Sequence, residues 1–202
     1  MVVAIWAFSL WGASSALFAG EPPRTLAMAG VENRIDRPEW KDQLVGYGVS
    51  HLVLQGLYDT GCFVPIEQNP EVAEKAKKLI ALTWAGEATP YTPGALDGAA
   101  CELSAQAVAF ARTLDFSVCR SRGFAGPFSA AKTTVTVTVE VGVKEPGKPE
   151  IVAQGKGSGQ TRSVGAFFQI REDKIYFDET TVGKATQKAV AEAVEKLGLS
   201  CK

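Results

Sequence analysis

The sequence is poor in histidine, because His51 is the only one among 202 residues. Imidazole is the commonest metal ligand and the usual general base near neutral pH. A single histidine excludes catalytic schemes that need two imidazoles and most histidine-based metal sites. His51 lies within a predicted helix and no acidic or thiol partner is indicated for it. We therefore predict a half-buried or surface histidine, and we predict no catalytic residue, no metal site and no cofactor.

The chain also lacks a large excess of charge of either sign. It has 21 Lys and Arg against 22 Asp and Glu, a formal net charge of −1, and a pI of about 5.9. Domains that bind nucleic acid usually carry a clustered basic excess, so we expect no nucleic-acid partner. The hydrophobic share of 46% is sufficient for one domain with a substantial core.

No charged residue occurs between Val2 and Ala19. This apolar run, with small residues towards its end, is typical of a secretory signal, although the basic start of such a signal is absent. About 18 apolar residues only just reach the length that spans a bilayer. We predict that residues 1–20 are a signal peptide or an N-terminal membrane anchor, with a buried helix as a third reading, and that residues 24–202 form a single domain.

Four cysteines, an even number, are present: Cys62, Cys101, Cys119 and Cys201. In a chain that reaches an oxidising compartment they can form up to two disulfides, with three alternative pairings. Their spacing matches no metal motif. Buried unpaired thiols remain the alternative.

Hydrophobic periodicity predicts an α/β (α+β) fold, a mixed β-sheet flanked by helices. The expected order is β-α-β-α, a long loop at 83–103 rich in glycine and proline, β-β-β, a short hairpin and a last helix. Strands are predicted at 25–31, 62–66, 108–118, 133–143 and 151–157, and helices at 43–59, 70–82 and 180–197. The glycines from Gly155 to Gly159 continue a strand, so they indicate close approach of another backbone rather than a phosphate-binding loop.

Several strings resemble the curli-production assembly/transport (CsgG) family. They are LAMAGVENR at 26–34, LYDTGCFVPIE at 57–67, DFSV at 115–118, EIVAQGKGSG at 150–159 and FDETTVGKATQKAV at 177–190. The resemblance implies a non-enzymatic envelope protein with the small periplasmic α/β fold that this family shares with LpoB-like modules. It also implies the pathway, which is envelope assembly or export.

The family's channels extend two hairpins per protomer into an outer-membrane pore, and this sequence departs from that plan. The stretch from Arg120 to Lys132 is short and contains Gly123, Gly126 and Pro127. The segment from Ser163 to Phe177 offers arms of about 4–7 residues, whereas a membrane-crossing strand needs about 9–11. No lipidation cysteine stands at the expected mature start.

We therefore expect a periplasmic or outer-membrane-associated accessory or scaffold protein that binds other envelope proteins and forms homo-oligomers. Peripheral contact with the outer membrane is a further option. One alternative is a ring-forming outer-membrane secretion channel of the curli type. A second is a hydrolase that uses the 83–103 loop as a lid; with one histidine, its catalysis would rest on Asp, Glu or Lys.

Aromatic residues in predicted loops and turns are the candidate interface. Phe167 and Phe168 are adjacent in a short hairpin, so strict alternation cannot bury both on one face, and at least one is available to a partner or lipid. The full candidate set is Trp40, Phe124, Phe128, Phe167, Phe168 and Tyr176. A locally thickened core is the alternative interpretation.

Overall fold

The computed structural model describes residues 22–66, 69–88, 92–125, 128–165, 181–199 and 201. The strands are β1 Arg24–Asn33, β2 Phe63–Pro65, β3 Ala107–Ala125, β4 Phe128–Lys144 and β5 Ile151–Gly165, and the helices are α1 Gln43–Asp59, α2 Pro70–Trp84, α3 Pro93–Glu102 and α4 Thr181–Lys196. They form one five-stranded sheet in the order β2-β1-β3-β4-β5. β1 runs parallel to β2 and β3, whereas β4 is antiparallel to both β3 and β5. The predicted α/β class with a mixed sheet is confirmed.

Helices cover both faces of the sheet. Successive residues of a strand point to opposite faces, and on β1 Leu26 and Met28 join the core beneath α1 and α4. Ala27 and Ala29 join the second core, beneath α2 and α3. The predicted valine alternation in β4 is also confirmed, because all five valines from Val135 to Val143 are buried.

The prediction of an irregular loop at 83–103 is wrong. α2 continues to Trp84, and α3 occupies residues 93–102. Thr92 caps α3, since its hydroxyl accepts a hydrogen bond from the Ala95 backbone N–H, and Pro93 stands at the first helical position. Proline is favoured there, where its missing N–H costs nothing, so a residue read as a breaker starts the helix.

The prediction of a short turn region from Arg120 to Lys132 is also wrong. β3 runs to Ala125 and β4 starts at Phe128, with ladder pairing from Val108 opposite Lys144 to Ala125 opposite Phe128. Glycine and proline mark only the tip of the hairpin. The polar residues before and after the tip stay in extended conformation because each strand has a paired neighbour.

Glycines in β5 let α4 lie directly on the strand backbone. A Cβ atom on Gly155 would stand 1.9 Å from the Ala189 carbonyl oxygen, and one on Gly157 would stand 1.8 Å from the Ala185 carbonyl oxygen. Two strand residues rise about 6.6 Å and four helix residues about 6.0 Å, so the two repeats stay in step. The predicted close approach of another backbone at this run is confirmed.

A disulfide joins Cys62, just before β2, to Cys201 at the end of the chain, with Cα atoms 5.0 Å apart. Cys101 in α3 and Cys119 in β3 are free and exposed. Of the pairings left open by the sequence, the structure contains the one that ties the C-terminal end to the edge of the sheet.

Candidate functional site

The three longest strands extend past the helices as a ribbon, which we define as residues 117–125 of β3, 128–134 of β4 and 160–165 of β5. The residues from Ser117 to Gly123 are all exposed, on both faces of β3. The first residue of α4, Thr181, lies against Gly159. On β5 the ribbon therefore starts next to the N-terminus of that helix. Nine extended residues give β3 a reach of about 30 Å beyond the layered core.

The ribbon is basic. The residues that define it include Arg120, Arg122, Lys132 and Arg162 and no acidic residue. Arg122 pairs in register with Ala131, whereas Lys132 pairs with Ser121 and with Arg162. Adjacent register pairs point to opposite faces of a sheet, so basic residues stand on both faces of the ribbon.

A row of polar side chains crosses four strands at the base of the ribbon. The Arg112 guanidinium on β3 donates to Glu32 of β1 at 3.0 Å and to Glu140 of β4 at 2.5 Å. The Gln154 side-chain amide on β5 donates to the other Glu140 carboxylate oxygen at 2.9 Å. Immediately beyond this row the β3 register shifts between Thr113 and Asp115, and such bulges increase twist. The row and the bulge therefore lie just before the start of the ribbon on β3.

Sequence reasoning missed this row. The sequence feature that could have revealed it is a charged residue inside each of two mainly apolar strands. These residues are Arg112 within 107–113 and Glu140 within 137–143. Charges in such places are rarely buried without a partner. Opposite signs on strands predicted to be neighbours would have indicated an ion pair.

The candidate aromatic residues fall in three places. The backbone of Phe124 and Phe128 lies at the tip of the ribbon, where Phe124 pairs with Ser129 and Phe128 with Ala125. Phe167, Phe168 and Tyr176, together with the predicted short hairpin, lie outside the described residues. The structure therefore places the backbone of the first two at the tip of the ribbon.

The structure corrects the prediction that Trp40 belongs to the candidate interface. It is 1% exposed, with its ring 5.2 Å from Phe116 and 6.5 Å from Trp84 between centroids. A short 3-10 turn at Pro38–Trp40 and the hydrogen bond from the Asn33 side-chain amide to the Trp40 carbonyl at 2.8 Å hold it inward. The polar residues around it suggested an exposed loop, but burial of a large indole outweighs them.

The opposite end of the sheet contains a perturbed carboxylate. Glu145, after β4, is paired with Arg24 of β1 and with Lys148, whose Nζ lies 2.7 Å from a Glu145 oxygen. Burial acts to raise the pKa of Glu145, but the hydrogen bonds and charges of Lys148 and Arg24 outweigh it and hold the pKa below its usual range. The group fastens the β4–β5 turn to the start of β1.

Two further observations concern the described part of the chain. No three His, Cys, Asp or Glu side chains within it gather in a group that could hold a metal ion. None of the helices it contains combines the length and the apolarity needed to span a bilayer.

Comparison with known proteins gives one family match and several structural matches. The family model described as curli production assembly/transport component CsgG matches residues 33–201. A search of curated proteins finds no match. A hypothetical protein from Chlamydia trachomatis has a similar fold, with a TM-score of 0.50 and 17% identity over 89% of this chain and 98% of that chain.

Two other solved structures are similar over much of their length. The PelC dodecamer from Paraburkholderia phytofirmans matches with 10% identity and a TM-score of 0.42, over 87% of this chain and 88% of that chain. A lipoprotein from Neisseria meningitidis matches with 13% identity and a TM-score of 0.37, over 70% of this chain and 85% of that chain.

Proposed function

The chain belongs to the family of the curli production assembly/transport component CsgG, and from this premise we propose that it is a non-enzymatic part of cell-envelope assembly or export. It acts by binding other envelope proteins as an accessory or scaffold component, and it associates with itself. The observation that carries this proposal is the basic ribbon, which reaches past the folded core and is exposed on both faces from Ser117 to Gly123.

The disulfide supports an envelope location. Structural disulfides form and persist in oxidising compartments such as the bacterial periplasm and are rare in the cytosol. The bond between Cys62 and Cys201 joins residues 139 positions apart, so its closure constrains most of the unfolded chain. Together with the predicted signal peptide or anchor at residues 1–20, it favours the periplasm or the outer-membrane surface.

The charge of the ribbon favours an acidic partner. Arg120, Arg122, Lys132 and Arg162 make the ribbon basic, and complementary charge accelerates encounter and aligns the bound proteins. Phe124 and Phe128 at the tip add aromatic contact area of the kind enriched at interfaces. We assign the same role to Phe167, Phe168 and Tyr176, which follow β5 in the chain. The partner is thus a protein with an acidic patch beside an apolar one.

The ring-forming channel is the second candidate, and the length of the β3 part of the ribbon favours it. Nine residues from Ser117 to Ala125 equal the length that crosses a bilayer as a tilted strand. The charges count against it, because a lipid-facing Arg or Lys costs about 2–4 kcal/mol at the bilayer midplane. With basic residues on both faces of the ribbon, neither face offers an uninterrupted apolar surface to lipid.

Sedimentation velocity of the purified protein, with and without detergent micelles, separates the two candidates. The scaffold proposal predicts small oligomers whose size depends on protein concentration and not on detergent, because the contacts are between protein surfaces. A channel predicts large closed rings that appear only in detergent. A monomer in every condition would contradict both the channel and the self-association.

A further inference from the structure

The outward face of α1 is unusual because it carries no charge. From Gln43 to Tyr58 the helix contains no charged residue, and Asp59 is its only one. α2 and α4 are nearly as long, and each contains five charged residues. A surface helix ordinarily keeps charged and polar residues on the side away from the core. The other two long helices follow this rule, so α1 is the exception within the same molecule.

Two large hydrophobic side chains project from that face. Leu44 is 71% exposed and Tyr58 is 51% exposed, the highest values for large hydrophobic residues in the described part of the chain. His51, between them, is exposed as well. The opposite side of α1, with Val49, Val53 and Leu57, is fully buried against the sheet and α4.

The spacing of these residues is symmetric. Leu44 precedes His51 by seven positions and Tyr58 follows it by seven, and seven residues are very nearly two helical turns. All three therefore lie along one line on the helix. If two copies of α1 pack antiparallel about a twofold axis at His51, each Leu44 meets the partner's Tyr58. Tyr47 then lies opposite the partner's Gln55, and His51 lies opposite its own copy.

We propose that the outward face of α1 is a self-association surface, on which a second copy of this chain docks antiparallel about a twofold axis at His51. The proposal names the contact behind the self-association part of the proposed function. A twofold interface requires a self-complementary patch. The placement of Leu44 and Tyr58 meets this requirement, because the same Leu44–Tyr58 contact forms on each side of the axis. The missing charges have the same explanation, because any charge near the axis would face its own copy.

The patch is small, so the dimer is reversible. Leu44 and Tyr58 are about 21 Å apart along the helix axis at a rise of about 1.5 Å per residue. One helix pair of this length buries less than the roughly 1,600 Å² of a standard interface. We therefore expect monomer and dimer to exchange as the protein concentration changes.

Complementary charge substitutions test the geometry. Leu44→Glu introduces a carboxylate in the first turn of α1, and Tyr58→Lys introduces an ammonium in the last turn. Both positions favour those charges through the helix dipole, so each variant is expected to fold, as far-UV circular dichroism will check. Each single variant should weaken the dimer about tenfold or more, which corresponds to about 1.4 kcal/mol. The double variant should regain affinity, because each new carboxylate then faces the partner's new ammonium.

The measurement is the dimer dissociation constant from sedimentation velocity of the purified chain over a range of concentrations. Gln187→Glu adds one charge to the exposed side of α4 and should leave the constant unchanged. If the wild type associates and neither single variant alters it, the α1 surface is wrong while self-association stands, and a different partner becomes the occupant to seek. If both single variants weaken the dimer without rescue in the double, the twofold antiparallel pairing is wrong. A wild type that never associates contradicts this surface and the self-association together.

Discussion

Gly157 shows how much of the fold depends on a missing side chain. A Cβ atom there would stand 1.8 Å from the Ala185 carbonyl oxygen and 2.4 Å from the Ala189 backbone nitrogen. Since both atoms belong to the helix backbone, no rotamer change can make room. We expect Gly157→Ala to lower the free energy of unfolding by about 3 kcal/mol, at the upper end of the usual range for overpacking.

Urea unfolding of this variant is compared with that of Gly98→Ala in α3. A Cβ atom on Gly98 meets nothing within 4 Å, and alanine is favoured over glycine inside a helix by roughly 0.5–1 kcal/mol. The control should therefore be slightly more stable than the wild type. Equal stability for the two variants would show that α4 can move off β5 without cost.

Because of Glu145, we expect the stability of the fold to depend on pH. Its pKa is lowered in the folded state, so its stabilising contribution is present above the unfolded-state pKa of about 4.3 and is lost as the pH falls through the lower folded-state value. We expect Glu145→Gln to be less stable than the wild type at neutral pH, with the difference shrinking below about pH 4. Thermal melts across this pH range measure it.

Glu150→Gln is the matched control for that series, because it removes one negative charge from the exposed part of the same turn. It should change the melting temperature less than Glu145→Gln at neutral pH. A constant gap between Glu145→Gln and the wild type at every pH would mean that the substitution acts through packing and not through the charge.

The ribbon is the element on which the proposed partner binding depends. Cys119 lies on it and is exposed, whereas the other free and exposed thiol, Cys101, lies on α3. A photoactivatable maleimide on Cys119, in a Cys101→Ser background, should cross-link the partner in the envelope fraction of producing cells. The double substitution R120E/R122E should reduce that product about tenfold, which corresponds to about 1.4 kcal/mol of lost charge complementarity.

The same reagent on Cys101, in a Cys119→Ser background, should give no such product, because α3 stands away from the ribbon. Equal cross-linking from the two positions would contradict the assignment of partner binding to the ribbon. An undiminished product in R120E/R122E would instead show that the ribbon binds without its two arginines.

The predictability of single elements depended on how local their determinants are. α1 was predicted residue for residue, because its apolar period is contained in the helix itself. The C-terminal end of β3 and the N-terminal end of β4 were not predicted. Their residues remain extended only through pairing with each other, and no local pattern in the sequence reveals that pairing. α3 was missed because Pro93 and Gly94 count as breakers until Thr92 is recognised as a cap.

At the scale of the whole molecule, the order of elements and the mixed sheet followed from the sequence, since each long element had a clear period. The candidate site was predicted only in part. The backbone of Phe124 and Phe128 lies at the tip of the ribbon, but the length of the basic ribbon depends on strand pairing, and Trp40 is buried by contacts with Trp84 and Phe116. The symmetric face of α1 could be recognised only from the exposure of its side chains, which the hydrophobic periodicity does not provide.

The disulfide also determines how the molecule responds to mechanical force. The Arg24 backbone N–H donates to the Cys62 carbonyl at 2.9 Å, and Cys62 is bonded to Cys201, so residues 24 and 201 are held close together. Tension applied between them passes through residues 24–62 and then across the sulfur bridge. The backbone of residues 63–200 lies within the loop that the bridge closes, so the covalent path of the tension bypasses it. The ribbon belongs to that loop, so a protein tethered at its two ends would keep the ribbon intact under tension.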